Sequence, residues 1–318
     1  MSIWDHKEIR KTLNPDSLII TMNEGDTPEL ELTDANSKLI LKREDKNPTG
    51  SWKDRGTAYK LTLLLSKGIN QAVIASSGNA AISLMTYANQ LNNFKLHVVI
   101  SNKTSSQKRN LINSLARDYH QVYEVENIRV KSVELASELK IPNLKVSVDD
   151  EILPGYWSLG LELSKHFKNQ DNSNSAIFIP VSSGTTLVGM VQGLHLDLES
   201  EYNLPKIIAV QTQRVHPIVS MLSEALDKEG KIEDSEESLA DAIIDKTALR
   251  SPQILKIIKE TQGLALSITD EEIMEAIGFL KQKGIEDSSY TSVLSVAGYL
   301  RAKDIFKLTK SICILSGR

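Results

Sequence analysis

Chemistry in this chain starts from an amine. Asn47-Pro48-Thr49-Gly50-Ser51-Trp52-Lys53-Asp54-Arg55-Gly56 follows the apolar run Leu39-Ile40-Leu41, which reads as a strand. It precedes residues 57–67, where Ala58, Leu61 and Leu65 fall on one face of a helix. Pro48 and Gly50 mark a turn, and Ser51 is placed to cap the helix that follows. Lys53 then falls in the first helical turn, beside the positive end of the helix dipole, where a structural cation is disfavoured. The position suits an amine that must lose its proton or react with a carbonyl. Lysine is the residue that forms Schiff bases, and its pKa shifts readily on desolvation.

Two further stretches are built to meet anions. A strand over residues 72–75 runs into Ser76-Ser77-Gly78-Asn79-Ala80-Ala81 and then a helix. Small residues there let backbone N–H groups at a helix N-terminus approach an anion closely. A second strand, over residues 176–181, leads into Ser182-Ser183-Gly184-Thr185-Thr186 and another helix. Backbone donors, a helix dipole and hydroxyls together serve a phosphate. Gly184 and Gly189 have the spacing of a nucleotide-binding loop, but Met190 stands where that loop needs lysine, which disfavours a nucleoside triphosphate.

These loops need a scaffold. From residue 57 to about 150 the pattern alternates helices at 57–67, 79–91, 106–117 and 128–140 with strands at 72–75, 96–100, 122–125 and 144–148. Helix 156–167, strand 176–181, helix 185–196 and strand 207–211 continue the series. Such alternation predicts βαβ units and parallel sheets. Residues 1–20 read as a peripheral segment, 227–237 as a charged surface connection, and 312–315 as a last strand before Ser316-Gly317-Arg318. Thr269-Asp270-Glu271-Glu272 opens a helix with a capping-box spacing.

Composition excludes several classes. The chain has 318 residues, 41% hydrophobic and 25% charged, as in ordinary globular proteins. A net charge of -4 without a basic run speaks against nucleic acid and anionic membranes as partners. No apolar stretch approaches the roughly 18 residues a membrane helix needs. The single cysteine, Cys313, forbids an internal disulfide and suits a reducing, cytoplasmic setting. Six scattered histidines without a His-Glu-x-x-His pair give no metal site.

The lysine stretch resembles the motif of the fold-type II pyridoxal phosphate enzymes, the tryptophan synthase beta superfamily, and within it most resembles the threonine synthases. Glu24-Gly25-Asp26-Thr27-Pro28 resembles a segment upstream of that motif. The resemblance implies two parallel-sheet, three-layer α/β domains with the cofactor in the cleft. A small domain over 56–155 would be inserted in a large one made of 1–55 and 156–318. It implies that Lys53 holds pyridoxal 5'-phosphate and moves protons. Asn79 would contact the cofactor's ring hydroxyl. Ser182, Ser183, Gly184, Thr185 and Thr186 would hold its phosphate, although this loop has one glycine where family members have three or four. Ser316 would face the pyridine nitrogen. Ser76, Ser77, Gly78, Asn79 and Ala80 would receive the substrate carboxylate.

The implied reaction converts O-phosphohomoserine to threonine and phosphate. Lys108 is the leading candidate for the substrate phosphate, with Arg109, Lys246 and Arg250 behind it; a solvated helix face is the better expectation for the last two. A threonine or serine dehydratase of the same fold is the alternative, and a non-catalytic metabolite-binding relative a further one. Glu286-Asp287-Ser288-Ser289 resembles a family Glu-Pro-Ser-Ser stretch, with Asp287 in place of proline. A small amino-acid substrate is the expected partner, and a homodimer is compatible with the fold.

Overall fold

The computed structural model describes residues 2–34, 37–91, 93–198, 204–222, 238–243, 247–286 and 288–318. In chain order the first elements are α1 (Lys7–Arg10), β1 (Glu29–Asp34), β2 (Ser37–Arg43), α2 (Lys53–Ser66), β3 (Gln71–Ala75) and α3 (Asn79–Ala88). There follow β4 (Lys95–Ser101), α4 (Ser106–Leu115), β5 (Gln121–Val125), α5 (Ile128–Leu139) and α6 (Leu153–Ser164). Next come β6 (Ser175–Pro180), α7 (Thr185–Asp197), β7 (Lys206–Thr212) and α8 (Pro217–Met221). The last are α9 (Ser251–Glu260), β8 (Leu264–Ile268), α10 (Asp270–Gln282), α11 (Tyr290–Ala302) and β9 (Lys310–Leu315).

The chain divides into two compact units. One comprises residues 1–26 and 53–158, the other residues 27–52 and 159–318. The sequence reading makes residues 1–20 a peripheral segment, whereas several of their side chains belong to the interior of the first unit. Ile3, Trp4 and Ile9 are buried, Trp4 Nε1 donates to Ile20 O at 3.0 Å, and the Trp4 ring stacks on Tyr59 of α2. A large apolar residue early in a chain is buried wherever a helix face is free to receive it.

The first unit holds a parallel three-stranded sheet in the order β3-β4-β5. Val73 and Val99 on one face pack with Leu135 of α5, joined by Ala75, Tyr123 and Val125. This is the period-2 pattern that the sequence shows. The expected strand at 144–148 does not form. Asn143 makes a single bridge to Val73, and then Lys145 N, Val146 N and Val148 N bond to carbonyls two or three residues back. Local turns satisfy these backbone groups, so the alternation of Leu144, Val146 and Val148 has no ladder to join.

The second unit holds a six-stranded sheet in the order β1-β2-β9-β6-β7-β8. Only the β1–β2 pair is antiparallel. Its core strands are almost wholly buried, as expected of parallel strands covered on both faces. Leu41, Phe178, Val210, Leu266 and Cys313 on one face meet Ile273 and Ala276 of α10 and Val293 and Ala297 of α11. The capping box at Thr269 and Glu272 is present at the start of α10. The 227–237 connection lies outside the described residues.

Candidate active site

In the first unit, Lys53 is the first residue of α2, where the sequence puts it. Ser51 stands two residues ahead and pairs with Gly317 in an antiparallel bridge. Lys53 lines a partly open pocket together with Thr57, Lys60, Ala80, Leu84, Val146 and Tyr156. Lys53 and Ala80, in the first turn of α3, therefore line one pocket. A second amine on its wall, Lys60, is held by Asp149 at 2.7 Å and Glu151 at 2.8 Å. Lys60 and Lys67 together bring the Glu151 carboxyl down to about 2.

Residues 71–80 change abruptly in exposure. Ala72, Val73 and Ile74 are buried, whereas Ser76, Ser77, Gly78, Asn79 and Ala80 are all half-buried. Gly78 immediately precedes α3 in an extended conformation, and no side chain caps that helix. A Cβ added at Gly78 would meet nothing within 4 Å. Neither backbone strain nor packing in the protein demands glycine here. The open space beside an uncapped helix N-terminus is the shape of a carboxylate-binding turn.

Two motif carboxylates hold α3 in place. Ser83 Oγ donates to Asp54 Oδ1 at 2.6 Å and lies 2.8 Å from Thr57 Oγ1. One turn further, Tyr87 OH donates to Glu24 Oε2 at 2.9 Å, which also accepts from Met22 N. Asn79, Ser83 and Tyr87 are spaced by four and share a helix face. Burial pushes the Glu24 carboxyl up, against the pull of those hydrogen bonds, and it pushes the Tyr87 phenol up, reinforced by Asp54 and Glu24. The acids of the two motifs thus fix the helix that begins at Asn79. Arg55 serves the same unit structurally: fully buried, it donates from Nη1 to Ser158 Oγ at 2.8 Å.

Of the cations considered for a second anion, Arg109 is engaged elsewhere. It pairs with Glu124 at 2.8 Å and donates to Asn102 O and Thr104 O. Lys108 is exposed on the first turn of α4, whose N-cap is Ser105. Lys246 and Asp287 lie outside the described residues.

In the second unit, Gly184 has φ +91° and caps α7 without any side-chain hydrogen bond to the helix end. Ser183 Oγ is 3.3 Å from Thr185 Oγ1, and both Thr185 and Thr186 are buried. A 13-residue helix that opens on a left-handed glycine, two buried threonine hydroxyls and no capping side chain fits a phosphate group. Arg250 corrects the expectation of a solvated helix face. It is 4% exposed, immediately precedes α9, and brings Nε to 3.3 Å from Thr185 Oγ1.

The chain end is held as firmly. Gly317 N donates to Ser292 Oγ at 2.7 Å, Ser289 Oγ donates to Gly317 O at 2.7 Å, and Ser292 Oγ lies 3.4 Å from Ser316 Oγ. Trp52 N donates to Ser316 O at 3.1 Å, and Arg318 N donates to Gly50 O at 3.0 Å. Ser316 therefore pairs with the residue that precedes Lys53 in the chain. Buried Glu44 joins the remaining motif pieces, accepting from Thr27 Oγ1 at 2.5 Å and from Asn47 Nδ2 at 2.9 Å. Sequence reasoning missed Glu44, Ser292 and the burial of Arg250. The signal for Glu44 was its place three residues before Asn47, on the same turn.

A family model described as "Pyridoxal-phosphate dependent enzyme" matches residues 20–317. The chain is 27% identical to the threonine synthase of Methanosarcina acetivorans, across 99% of this chain and 79% of that one. It is 24% identical to the L-threonine ammonia-lyase of Thermotoga maritima, across 88% of this chain and 67% of that one. Among solved structures, maize serine racemase superposes with a TM-score of 0.75 at 17% identity, covering 99% of this chain and 93% of that one, a likeness of fold.

Proposed function

Because the chain belongs to the pyridoxal-phosphate dependent enzymes, with a family match from residue 20 to residue 317 and the fold of type II, we propose that it converts O-phosphohomoserine and water to threonine and phosphate. The observation that carries this reading is the length-wide likeness to a threonine synthase, which takes in the whole stretch from Glu24 to Ser316. We assign Lys53 as the residue that holds the cofactor, residues 182–186 as the cradle of its phosphate, and Ser316 as the partner of its ring nitrogen.

Pyridoxal phosphate, when bound, supplies an electron sink conjugated to the substrate's Cα. The protein's part is positioning and proton transfer. Backbone N–H groups at the start of α3, opened by Gly78, receive the substrate carboxylate. Asn79 on the same turn orients the ring, and Asp54 and Glu24 keep that turn in place through Ser83 and Tyr87. The Ser316 hydroxyl, unlike a carboxylate, does not enforce protonation of the ring nitrogen, which favours elimination and replacement over amino transfer. Lys53 Nζ takes a proton from Cα and then one from Cβ. Phosphate leaves from Cγ, protons return to Cγ and Cα, and the oxygen of water ends on Cβ. One amine serving these neighbouring carbons replaces several bimolecular transfers. Lys108, an exposed amine on the first turn of α4, meets the substrate's phosphate.

The ammonia-lyase relative supports a second reading, in which the same groups release water and ammonia from threonine or serine. Product analysis decides between them. The protein is given O-phosphohomoserine, threonine and serine in parallel, and threonine plus inorganic phosphate from the first is the expected result. A 2-oxo acid from threonine or serine, with O-phosphohomoserine untouched, replaces the synthase by a dehydratase and leaves the cofactor in place. Borohydride reduction followed by peptide mapping should place the label on Lys53, and Lys53→Ala should remove both label and turnover. A label on another lysine would sink the assignment of Lys53.

A further inference from the structure

We propose that Ser292 is a positioning residue for the cofactor ring: it grips the Gly317 peptide by both its N–H and its carbonyl and spends its own hydrogen there, which leaves the Ser316 hydroxyl as a donor to the ring nitrogen. The inference rests on the reading of Ser316 as the partner of that nitrogen.

Ser289, the N-cap of α11, is followed at intervals of three by Ser292 and Ser295, so the three fall on one side of the helix. All of them meet the last residues of the chain. Ser295 Oγ lies 2.9 Å from Ile314 O, and Ser289 Oγ donates to Gly317 O at 2.7 Å. Ser292 Oγ, fully buried, donates to Gly317 O and accepts from Gly317 N at 2.7 Å. On the other side of this segment Trp52 N donates to Ser316 O at 3.1 Å, and Ser51 bridges to Gly317. The backbone that carries Ser316 is thus held from two directions.

A hydroxyl has one hydrogen and two lone pairs, so the account of Ser292 can be closed. Its hydrogen goes to Gly317 O, and one lone pair takes the Gly317 N–H. A lone pair remains, but no hydrogen. Ser292 therefore has nothing to donate to Ser316. Among the described residues the Ser316 hydroxyl makes one hydrogen-bond contact, to Ser292 Oγ at 3.4 Å. That is longer than the roughly 2.5–3.0 Å of a good O–H···O bond. The hydrogen of Ser316 is thus almost unspent, although the residue is buried. An unprotonated pyridine nitrogen brought up to it is an acceptor and completes a full bond. A protonated nitrogen would bring a second hydrogen to the same oxygen. It would leave the Ser316 hydrogen on the long contact and place a charge in buried surroundings, which is costly.

The test compares a cofactor that has the ring nitrogen with one that lacks it. The holoprotein is resolved with hydroxylamine. The resolved protein is titrated with pyridoxal phosphate and separately with its deaza analogue, in which C–H replaces the ring nitrogen, following the absorbance of each lysine adduct. The parent should bind pyridoxal phosphate about 3- to 10-fold more tightly than the analogue, the worth of one neutral hydrogen bond. In Ser292→Ala that preference should shrink to within about twofold, however the two affinities move together. A loss of packing alone weakens both aldehydes equally, so a preference in Ser292→Ala as large as the parent's overturns the proposal. The nitrogen NMR shift of isotopically labelled cofactor in the parent should be that of an unprotonated pyridine, and the shift of a protonated one overturns the donor role of Ser316. If the parent shows no preference between the two aldehydes, Ser316 does not face the nitrogen, and the underlying reading fails rather than the role of Ser292 within it. Should Ser292→Ala not fold, Ser292→Cys decides: it keeps a similar volume with a weak hydrogen-bonding group, and an unchanged preference refutes the proposal.

Discussion

Glycines 78 and 184 look alike in the sequence, each between serine and a helix, yet the structure gives them opposite roles. Gly184 is required by the protein's own packing. Its φ of +91° is strained for any L residue, and its Cβ would strike Ile254. Gly184→Ala should therefore destabilise the fold by about 2–4 kcal/mol, adding left-handed strain to overpacking. Urea denaturation measures it, and a loss under about 0.5 kcal/mol would show that α9 yields. For this reason a bulky residue at 184 cannot separate cofactor binding from folding. Gly78 is the cleaner probe. With no clash and no left-handed backbone, Gly78→Ala should leave stability within about 0.5 kcal/mol of the parent. The added methyl occupies the space in which a carboxylate would lie, so the Michaelis constant should rise at least about tenfold, the effect of roughly 1.4 kcal/mol of lost binding. Unchanged kinetics in a stable Gly78→Ala variant would move the carboxylate site away from this loop.

At the scale of elements, α3 shows how much the sequence reveals and where it stops. The helix, the strand ahead of it and the half-exposed turn between them were legible from alternation and from Gly78-Asn79. The helices and parallel strands around the lysine were legible for the same reason: their apolar spacing is local. What holds α3 was not. Ser83 and Tyr87 read as ordinary helical residues, and their partners Asp54 and Glu24 lie 29 and 63 positions away. Asp54 and Glu24 belong to segments recognised as motifs, but recognition did not say what each acid does. The strand expected at 144–148 failed because period-2 alternation cannot reveal whether a neighbouring strand edge continues alongside. Ser83→Ala tests the pinning. It withdraws a buried donor from Asp54 and should cost about 1–3 kcal/mol in stability. Because Asn79 stands one turn away on the same face, affinity for pyridoxal phosphate should weaken as well. A stability loss with unaltered affinity would mean that Asn79 is placed by the turn alone.

Across the whole molecule, each unit carries a group that ties stability to acid, and the two act in different pH windows. In the first unit, His120 Nδ1 accepts from Leu96 N at 3.1 Å and Nε2 lies 3.2 Å from Asn89 Oδ1. Only the neutral ring with its hydrogen on Nε2 satisfies both. Burial, and then the charge of Arg117, pushes this imidazole down to about 4 from its ordinary 6.5. Below 6.5 the unfolded chain takes up the proton and the folded one resists, so stability declines as the pH falls from 6.5 toward 4. In the second unit, burial works to raise the Glu29 carboxyl, but hydrogen bonds from His166 and Lys165 and the charge of Lys42 outweigh it and bring it down to about 2. Its contribution is complete above 4.5 and is lost as the pH falls from there toward 2. Unfolding free energy measured in urea should thus drop in two stages. His120→Gln should flatten the slope between pH 6.5 and 4 and leave the lower stage, whereas Glu29→Gln should lessen the lower stage, which Glu151 of the first unit shares, and leave the upper slope. Each variant starts from a less stable protein at pH 7, because each removes an interaction intact there. A slope in His120→Gln as steep as the parent's above pH 4 would show that the acid sensitivity of the first unit lies in other groups, and that the neutral ring between Leu96 and Asn89 serves packing only.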